Sequence, residues 1–207
     1  MFKAIFKKTT ALLLIAIFTV AFTSSCAKQG ANQEAAEIHP RIQFEMENGD
    51  KMVFELYPEY APETVNNFVS LTKAGFYDGL TFHRIIAGFM VQGGDPSGNG
   101  TGGSDKTITG EFKNNGFAKN TLLHTRGVIS MARGGNDMNS ASSQFFIMHG
   151  DQPSLDGDYA AFGKLISGEE TLDKIAATPV TVSDSNPDEI SKPTEIVKVK
   201  SVTLLDK

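Results

Sequence analysis

The sequence predicts a mainly β fold, a closed barrel of about eight strands accompanied by two helices. Three observations lead there. The 207 residues include 20 Gly and 8 Pro, a turn-rich composition that favours strands over a helix bundle. Most apolar residues fall in short runs bounded by turn residues, too short for helices. The first and last segments of the folded region alternate polar and apolar, the period of a half-buried strand. With so many strands in one domain, closure is the simplest way to leave no sheet edge exposed.

Taken in order, Arg41-Ile-Gln-Phe-Glu-Met-Glu alternates, Asn48-Gly49 is a strong hairpin turn, and Lys51-Met-Val-Phe-Glu-Leu56 returns as the partner strand. Pro58 and Pro62 interrupt the chain. Residues 64–74 carry apolar side chains at 65, 68, 69 and 71, the spacing of a helix face, and Gly75 stops it. Strands are expected at 80–86, 89–92, 127–132, 144–148 and 160–166. A second helix is expected at 169–177, with acids in its first turn, and a final alternating strand at 195–205. No internal repeat is present.

The N-terminus reads differently. Residues 1–25 hold Lys3, Lys7 and Lys8, no acid, and an apolar run from Ala11 to Phe22. That run is short of the ~20 residues a spanning helix needs. A basic start, a short apolar stretch and a small-residue exit make a secretory signal. The only cysteine, Cys26, follows Thr23-Ser24-Ser25. This resembles a bacterial lipoprotein signal, in which Cys26 is acylated and becomes the new N-terminus, although Thr23 stands where Leu is usual. Residues 26–39 are small and polar and read as a flexible tether. The expected organisation is signal peptide 1–25, tether 26–39 and folded domain 40–207. The expected location is outside the cytoplasm, on a membrane reached through the N-terminal lipid.

Charge and motif content exclude several functions. The formal charge is −5, and loss of the leader leaves 16 bases against 24 acids, so a nucleic-acid partner is not expected. One cysteine builds neither a disulfide framework nor a Cys-based zinc site. Gly98-Asn-Gly-Thr-Gly-Gly103 matches GxGxxG but lies between loops rather than between a strand and a helix. The histidines at 39, 83, 124 and 149 lack metal-ligand spacing, no GxSxG elbow occurs, and Asp156-Gly-Asp158 reads as a turn. No metal, nucleotide or other cofactor is expected.

Three segments carry more information. Phe82 and Arg84 share a strand face, as do Met90 and Gln92, and as do Gln144 and Phe146. Each pair sets one polar group beside one large apolar group, which is how a mostly apolar pocket with a few directing hydrogen bonders is made. The simpler alternative is that Phe and Met fill the barrel while Arg and Gln face solvent.

Phe82-His-Arg-Ile-Ile-Ala-Gly-Phe-Met-Val-Gln-Gly-Gly-Asp95, Asn99-Gly-Thr-Gly-Gly103, Gly127-Val-Ile-Ser-Met-Ala132 and Ser143-Gln-Phe-Phe-Ile147 resemble the cyclophilin family of peptidyl-prolyl cis-trans isomerases. So do Ala61-Pro-Glu-Thr-Val-Asn-Asn-Phe68 and Gly75-Phe-Tyr-Asp-Gly79. The resemblance spans about residues 41–205. It implies an eight-stranded antiparallel barrel capped by two α-helices. It also implies that Arg84 is the catalytic arginine, acting with Gln92, Phe89 and Phe146. Phe89, Met90, Phe146 and Leu155 would line the proline pocket, and Gln92 and Gln144 would orient the peptide. Ala132 and Arg133 would lie along the groove, with Thr101 and Gly103 beside the pocket for the preceding residue. Three positions depart from the best-known eukaryotic pattern. Ser154 stands where tryptophan is frequent, which weighs against tight cyclosporin binding. Tyr159, at the pocket rim, stands where histidine is common, and Arg133 where asparagine is common.

The implied chemistry needs no cofactor. The cis-trans barrier of ~18–20 kcal/mol comes from C–N double-bond character. A guanidinium, always charged, can hydrogen-bond the prolyl nitrogen more strongly in the twisted amide than in the planar one, and such differential binding lowers the barrier. The leading expectation is a monomeric isomerase acting on proline-containing segments of unfolded exported proteins. The alternative is a tethered proline-peptide-binding chaperone with little turnover. A solute-binding lipoprotein is disfavoured because residues 40–207 are too few for two lobes.

Overall fold

The computed structural model describes residues 39–206. The signal peptide, Cys26 and all of the tether except His39 lie outside the described residues. Ten strands and two α-helices follow in the order β1 (Arg41–Met46), β2 (Lys51–Leu56), α1 (Pro62–Lys73), β3 (Arg84–Ile86), β4 (Met90–Gly93), β5 (Val128–Met131), β6 (Phe145–Met148), β7 (Ala161–Ser167), α2 (Glu169–Ala176), β8 (Val180–Val182), β9 (Ile190–Pro193) and β10 (Val199–Leu205). Eight strands form one curled antiparallel sheet, β10-β1-β2-β7-β5-β6-β4-β3, and β8 pairs with β9 in a separate ribbon.

The predicted hairpin forms around Gly49, which has φ +85°. Ile42, Phe44, Met52 and Phe54 turn inward, and Phe44 meets Phe54 edge-on at 5.5 Å. Helix α1 buries Thr64, Val65, Phe68 and Thr72. Phe68 joins an aromatic core with Phe44, Tyr77, Phe145 and Phe162, at centroid separations of 4.6 to 6.4 Å. Helix α1 begins two residues earlier than the spacing predicts, because proline is tolerated where a helix N–H has no partner anyway. Its N-cap residue, Ala61, has no side-chain acceptor. Glu111 fills that role from a distant loop, accepting from Glu63 N at 3.0 Å, Thr64 N at 2.8 Å and Thr64 Oγ1 at 2.7 Å.

The expected closed barrel is not what forms. No ladder joins β3 to β10 among the described residues. The strand predicted at 80–86 begins only at Arg84, and the one predicted at 195–205 only at Val199. Along that seam the two connections meet in an isolated bridge, Thr81 with Lys198. The result is a curled, half-barrel sheet. The β8–β9 ribbon is also absent from the sequence reading, since three residues are too few to show a period.

Candidate active site

Cross-strand register assembles the site. Arg84 pairs with Gln92, Gln92 with Phe146, and Phe146 with Ser130, so one row crosses β3, β4, β6 and β5 on a single face. Their chain neighbours Ile85, Val91, Phe145 and Ile129 point to the opposite face and enter the main core. The row's own face is covered too. Met90, Val128, Phe146, Met148 and Ala161 form a second apolar cluster, with Phe89, Ala132, Leu155 and Tyr159 packed against it. Met90 and Phe146 therefore do not fill the barrel interior. They floor a pocket outside it, which is why β5 and β6 read as continuous apolar runs.

The pocket, about 180 Å³, is walled by Phe89, Met90, Phe146 and Leu155, with Arg84, Gln92, Ala132, Arg133 and Tyr159 at its polar side and rim. A second cavity of about 320 Å³ shares Gln92, Ala132 and Arg133 and adds Thr101 and Gln144. Eleven of the twelve side chains singled out from the sequence thus line one cavity or both. Gly103 lines neither. It lies against Ser142, whose hydroxyl a Cβ at that position would strike. Ser140 and Ser142 also line the second cavity, and isolated serines carry no spacing signal that would mark them in the sequence.

Arg84 is held from two sides. Its Nε and Nη2 donate to the two carboxylate oxygens of Glu189, both at 2.7 Å. Its Nη1 donates to Gln92 Oε1 at 3.3 Å and approaches the Met90 sulfur at 3.7 Å. The hydrogen bonds from Arg84 hold the Glu189 carboxyl down at about 2, against the opposing effect of burial. Glu189 lies 105 residues away in sequence, in a polar loop with no motif to mark it.

From Gln92 the hydrogen bonds continue outward. Gln92 Nε2 donates to Gln144 Oε1 at 2.9 Å, and Gln144 Nε2 donates to Gly100 O at 3.0 Å and Gly102 O at 2.7 Å. The glycine-rich loop they reach is built on Asp95, 1% exposed, whose carboxylate accepts from Ser97 N, Asn99 N and Gly100 N at 2.6 to 3.0 Å. Burial raises the Asp95 pKa, but these three N–H groups outweigh it and hold the carboxyl below its ordinary value. The GxGxxG match is therefore a folded wall of the second cavity.

Arg133 lines both cavities. Its guanidinium lies over the Tyr159 ring at 4.9 Å and the Phe112 ring at 5.3 Å, and its Nε donates to Asp158 O at 3.0 Å. Tyr159 in turn stands edge-on to Phe146 at 5.6 Å. Behind Phe146, His124 bridges Asp156 and Ser130, each at 3.0 Å. This is a Ser-His-Asp set by composition, but Ser130 is fully buried and no substrate carbonyl can reach it.

An apolar pocket thus has an arginine among its lining and adjoins a groove of hydrogen bonders. The comparisons decide the family. Residues 41–203 match the family model described as cyclophilin type peptidyl-prolyl cis-trans isomerase. The chain belongs to the cyclophilin-type peptidyl-prolyl cis-trans isomerases. It is 52% identical over 127 residues to peptidyl-prolyl cis-trans isomerase B of Bacillus subtilis, covering 61% of this chain and 84% of that protein. It is 48% identical over 130 residues to a peptidyl-prolyl cis-trans isomerase of Helicobacter pylori, covering 62% of this chain and 76% of that protein. The crystal structure of a Cryptosporidium parvum cyclophilin type isomerase superposes with a TM-score of 0.71 at 32% identity, covering 82% of this chain and 99% of that one. The same parasite cyclophilin has also been solved in the presence of the dipeptide Ala-Pro. In this cyclophilin the half-barrel and its two helices are the family fold.

Proposed function

We propose that the chain isomerises X-Pro bonds in exported proteins while tethered to a membrane, with Arg84 as the group that lowers the barrier. The proline ring sits in the cavity of Phe89, Met90, Phe146 and Leu155. Gln92 and Gln144 orient the peptide, Ala132 and Arg133 flank it, and Tyr159 closes the rim. The loop of Thr101 and Gly103 borders the side that receives the residues before proline. The observation that carries this reading is the Arg84 guanidinium at the edge of the apolar cavity. A twisted amide returns its lone pair to the prolyl nitrogen, so a fixed N–H donor there binds the transition state better than either planar state. The half-apolar setting, with Arg84 31% exposed, strengthens that interaction relative to water.

The tether and membrane location rest on the leader sequence and on Cys26 at its end. The protein acts as a monomer in this reading, since the pocket and its rim come from one chain. The test has two arms. A protease-coupled assay on a short Ala-Pro peptide should show turnover without any added metal, nucleotide or thiol. Changing Cys26→Ser should move the protein from the membrane to a soluble fraction with unchanged activity per molecule. Peptide binding without turnover would favour a chaperone module, and continued membrane attachment of the serine variant would remove the lipid anchor.

A further inference from the structure

The geometry points to Glu189 as the positioning residue for Arg84, a role that rests on the reading of Arg84 given above. Arginine has five N–H donors in a rigid plane. Glu189 takes the Nε–H and one Nη2–H, and Gln92 takes one from Nη1. One N–H on Nη2 is left for a substrate, and the second Nη1 N–H faces only the Met90 sulfur at 3.7 Å, a weak acceptor that a substrate oxygen or nitrogen displaces. The Gln92 and Met90 contacts, at 3.3 and 3.7 Å, are too long to fix a flexible four-bond side chain. The bidentate pair, with both bonds at 2.7 Å, sets the plane of the guanidinium before any peptide arrives.

The pair is itself supported. Glu189 sits where the β8–β9 ribbon begins its return, with its N–H donating to Asn186 O at 3.0 Å and its carbonyl accepting from Ser183 N at 2.8 Å. Those bonds close the 183–189 turn around it. Arg84 and Glu189 are only 31% and 23% exposed, so water competes weakly for the pair. Carrying the ordering of a long side chain in the free enzyme leaves less to be ordered in the transition state. The ribbon is thus more than a connection between α2 and β10. It delivers a carboxylate to the back of the proposed catalytic group.

The test is steady-state kinetics on a short Ala-Pro peptide with Glu189→Ala, Glu189→Gln and Glu189→Asp, each also made in an Arg84→Ala background. Glu189→Ala should lower kcat by about tenfold or more with KM near that of the parent, as a displaced catalytic group does. Glu189→Asp should recover part of the loss. Glu189→Ala should lower the melting temperature modestly, since a half-buried ion pair is lost, but should leave unfolding cooperative because the ribbon turn is closed by backbone bonds. In the Arg84→Ala background the same change should have no further effect. The Arg84 Nε–H resonance should be slow to exchange in the parent, where it donates to Glu189 at 2.7 Å, and should be lost in Glu189→Ala. Parent-level kcat in Glu189→Ala, or an equal fractional loss in both backgrounds, would overturn the proposal while leaving Arg84 in place. Parent-level turnover in Arg84→Ala alone would overturn both readings together.

Discussion

Gln92 and Gln144 share a 2.9 Å hydrogen bond whose direction is determined from both ends. Arginine only donates, so Gln92 must turn its oxygen to Arg84 and its amide nitrogen to Gln144. Gln144 must then turn its own nitrogen to the carbonyls of Gly100 and Gly102. A one-way run of donors connects the guanidinium to the glycine-rich loop.

Replacing Gln144→Glu should therefore disturb the loop and not the pocket floor. The new carboxylate would face two carbonyl oxygens with no proton to offer them, a mismatch of about 1–3 kcal/mol. The expected result is a rise in KM on the order of tenfold for peptides extended before the proline, smaller for a bare dipeptide. Acidification should restore part of the affinity, because a protonated carboxyl donates again. Unchanged KM for long and short peptides would show that the loop is held by Asp95 alone.

Arg84→Lys should cost on the order of 10²-fold in kcat and leave KM nearly unchanged, comparable to removing one preorganised transition-state donor. Lysine keeps the charge but cannot span both Glu189 and Gln92 with a planar fork. Phe146→Ala should instead weaken binding and turnover together, since the ring holds proline in every state. Phe146 is 5% exposed, so this variant should also lose about 3 kcal/mol of stability. Measuring both with one peptide separates field from fit; equal patterns in the two variants would contradict the division of roles.

Stability should fall on acidification through two histidines, the half-buried His83 and the buried His124. His83 has its pKa lowered first by burial and then by neighbouring Arg84, with Asp95 opposing, and neither ring nitrogen has a hydrogen-bond partner. His124 is lowered by burial against the pull of Asp156. A depressed folded pKa means that the unfolded chain takes up protons first. The contribution is fully present above the unfolded value of about 6.5 and is lost as pH drops below it. Urea denaturation at pH values on either side of that point should show the loss, and His83→Leu should shallow the slope. An identical slope in the variant would exclude His83 as a source.

Glu111→Ala should destabilise the fold by about 1–2 kcal/mol, the worth of a helix N-cap, with little change in kcat. Glu111 is 3% exposed and satisfies the first turn of α1 from 47 residues away, so no water replaces it readily. Chemical denaturation measures the change directly. A loss below about 0.5 kcal/mol would mean that the turn finds another acceptor.

Much of the site was legible in the sequence because its logic is local. Strand side chains alternate, so Arg84, Met90, Gln92, Gln144 and Phe146 could be sorted to faces from their positions alone. The 41–56 hairpin was equally plain from Asn48-Gly49 and two alternating flanks. Helix α2 falls within one residue of its predicted end. Each of these readings depends on chemistry within a few residues of chain.

Tertiary structure alone decided the rest. Whether the sheet closes depends on how far eight strands twist before β3 and β10 come abreast, and a period of two says nothing about accumulated twist. The pairing of Arg84 with Glu189, and the capping of α1 by Glu111, join groups 105 and 47 residues apart. An exposed-looking glutamate in a polar loop has no local signature of its partner. Its role exists only where the folded backbone brings a carboxylate within 2.7 Å of a guanidinium. Periodicity and turn chemistry act along the chain, whereas charge pairing and closure act through space, and only the folded chain defines that space.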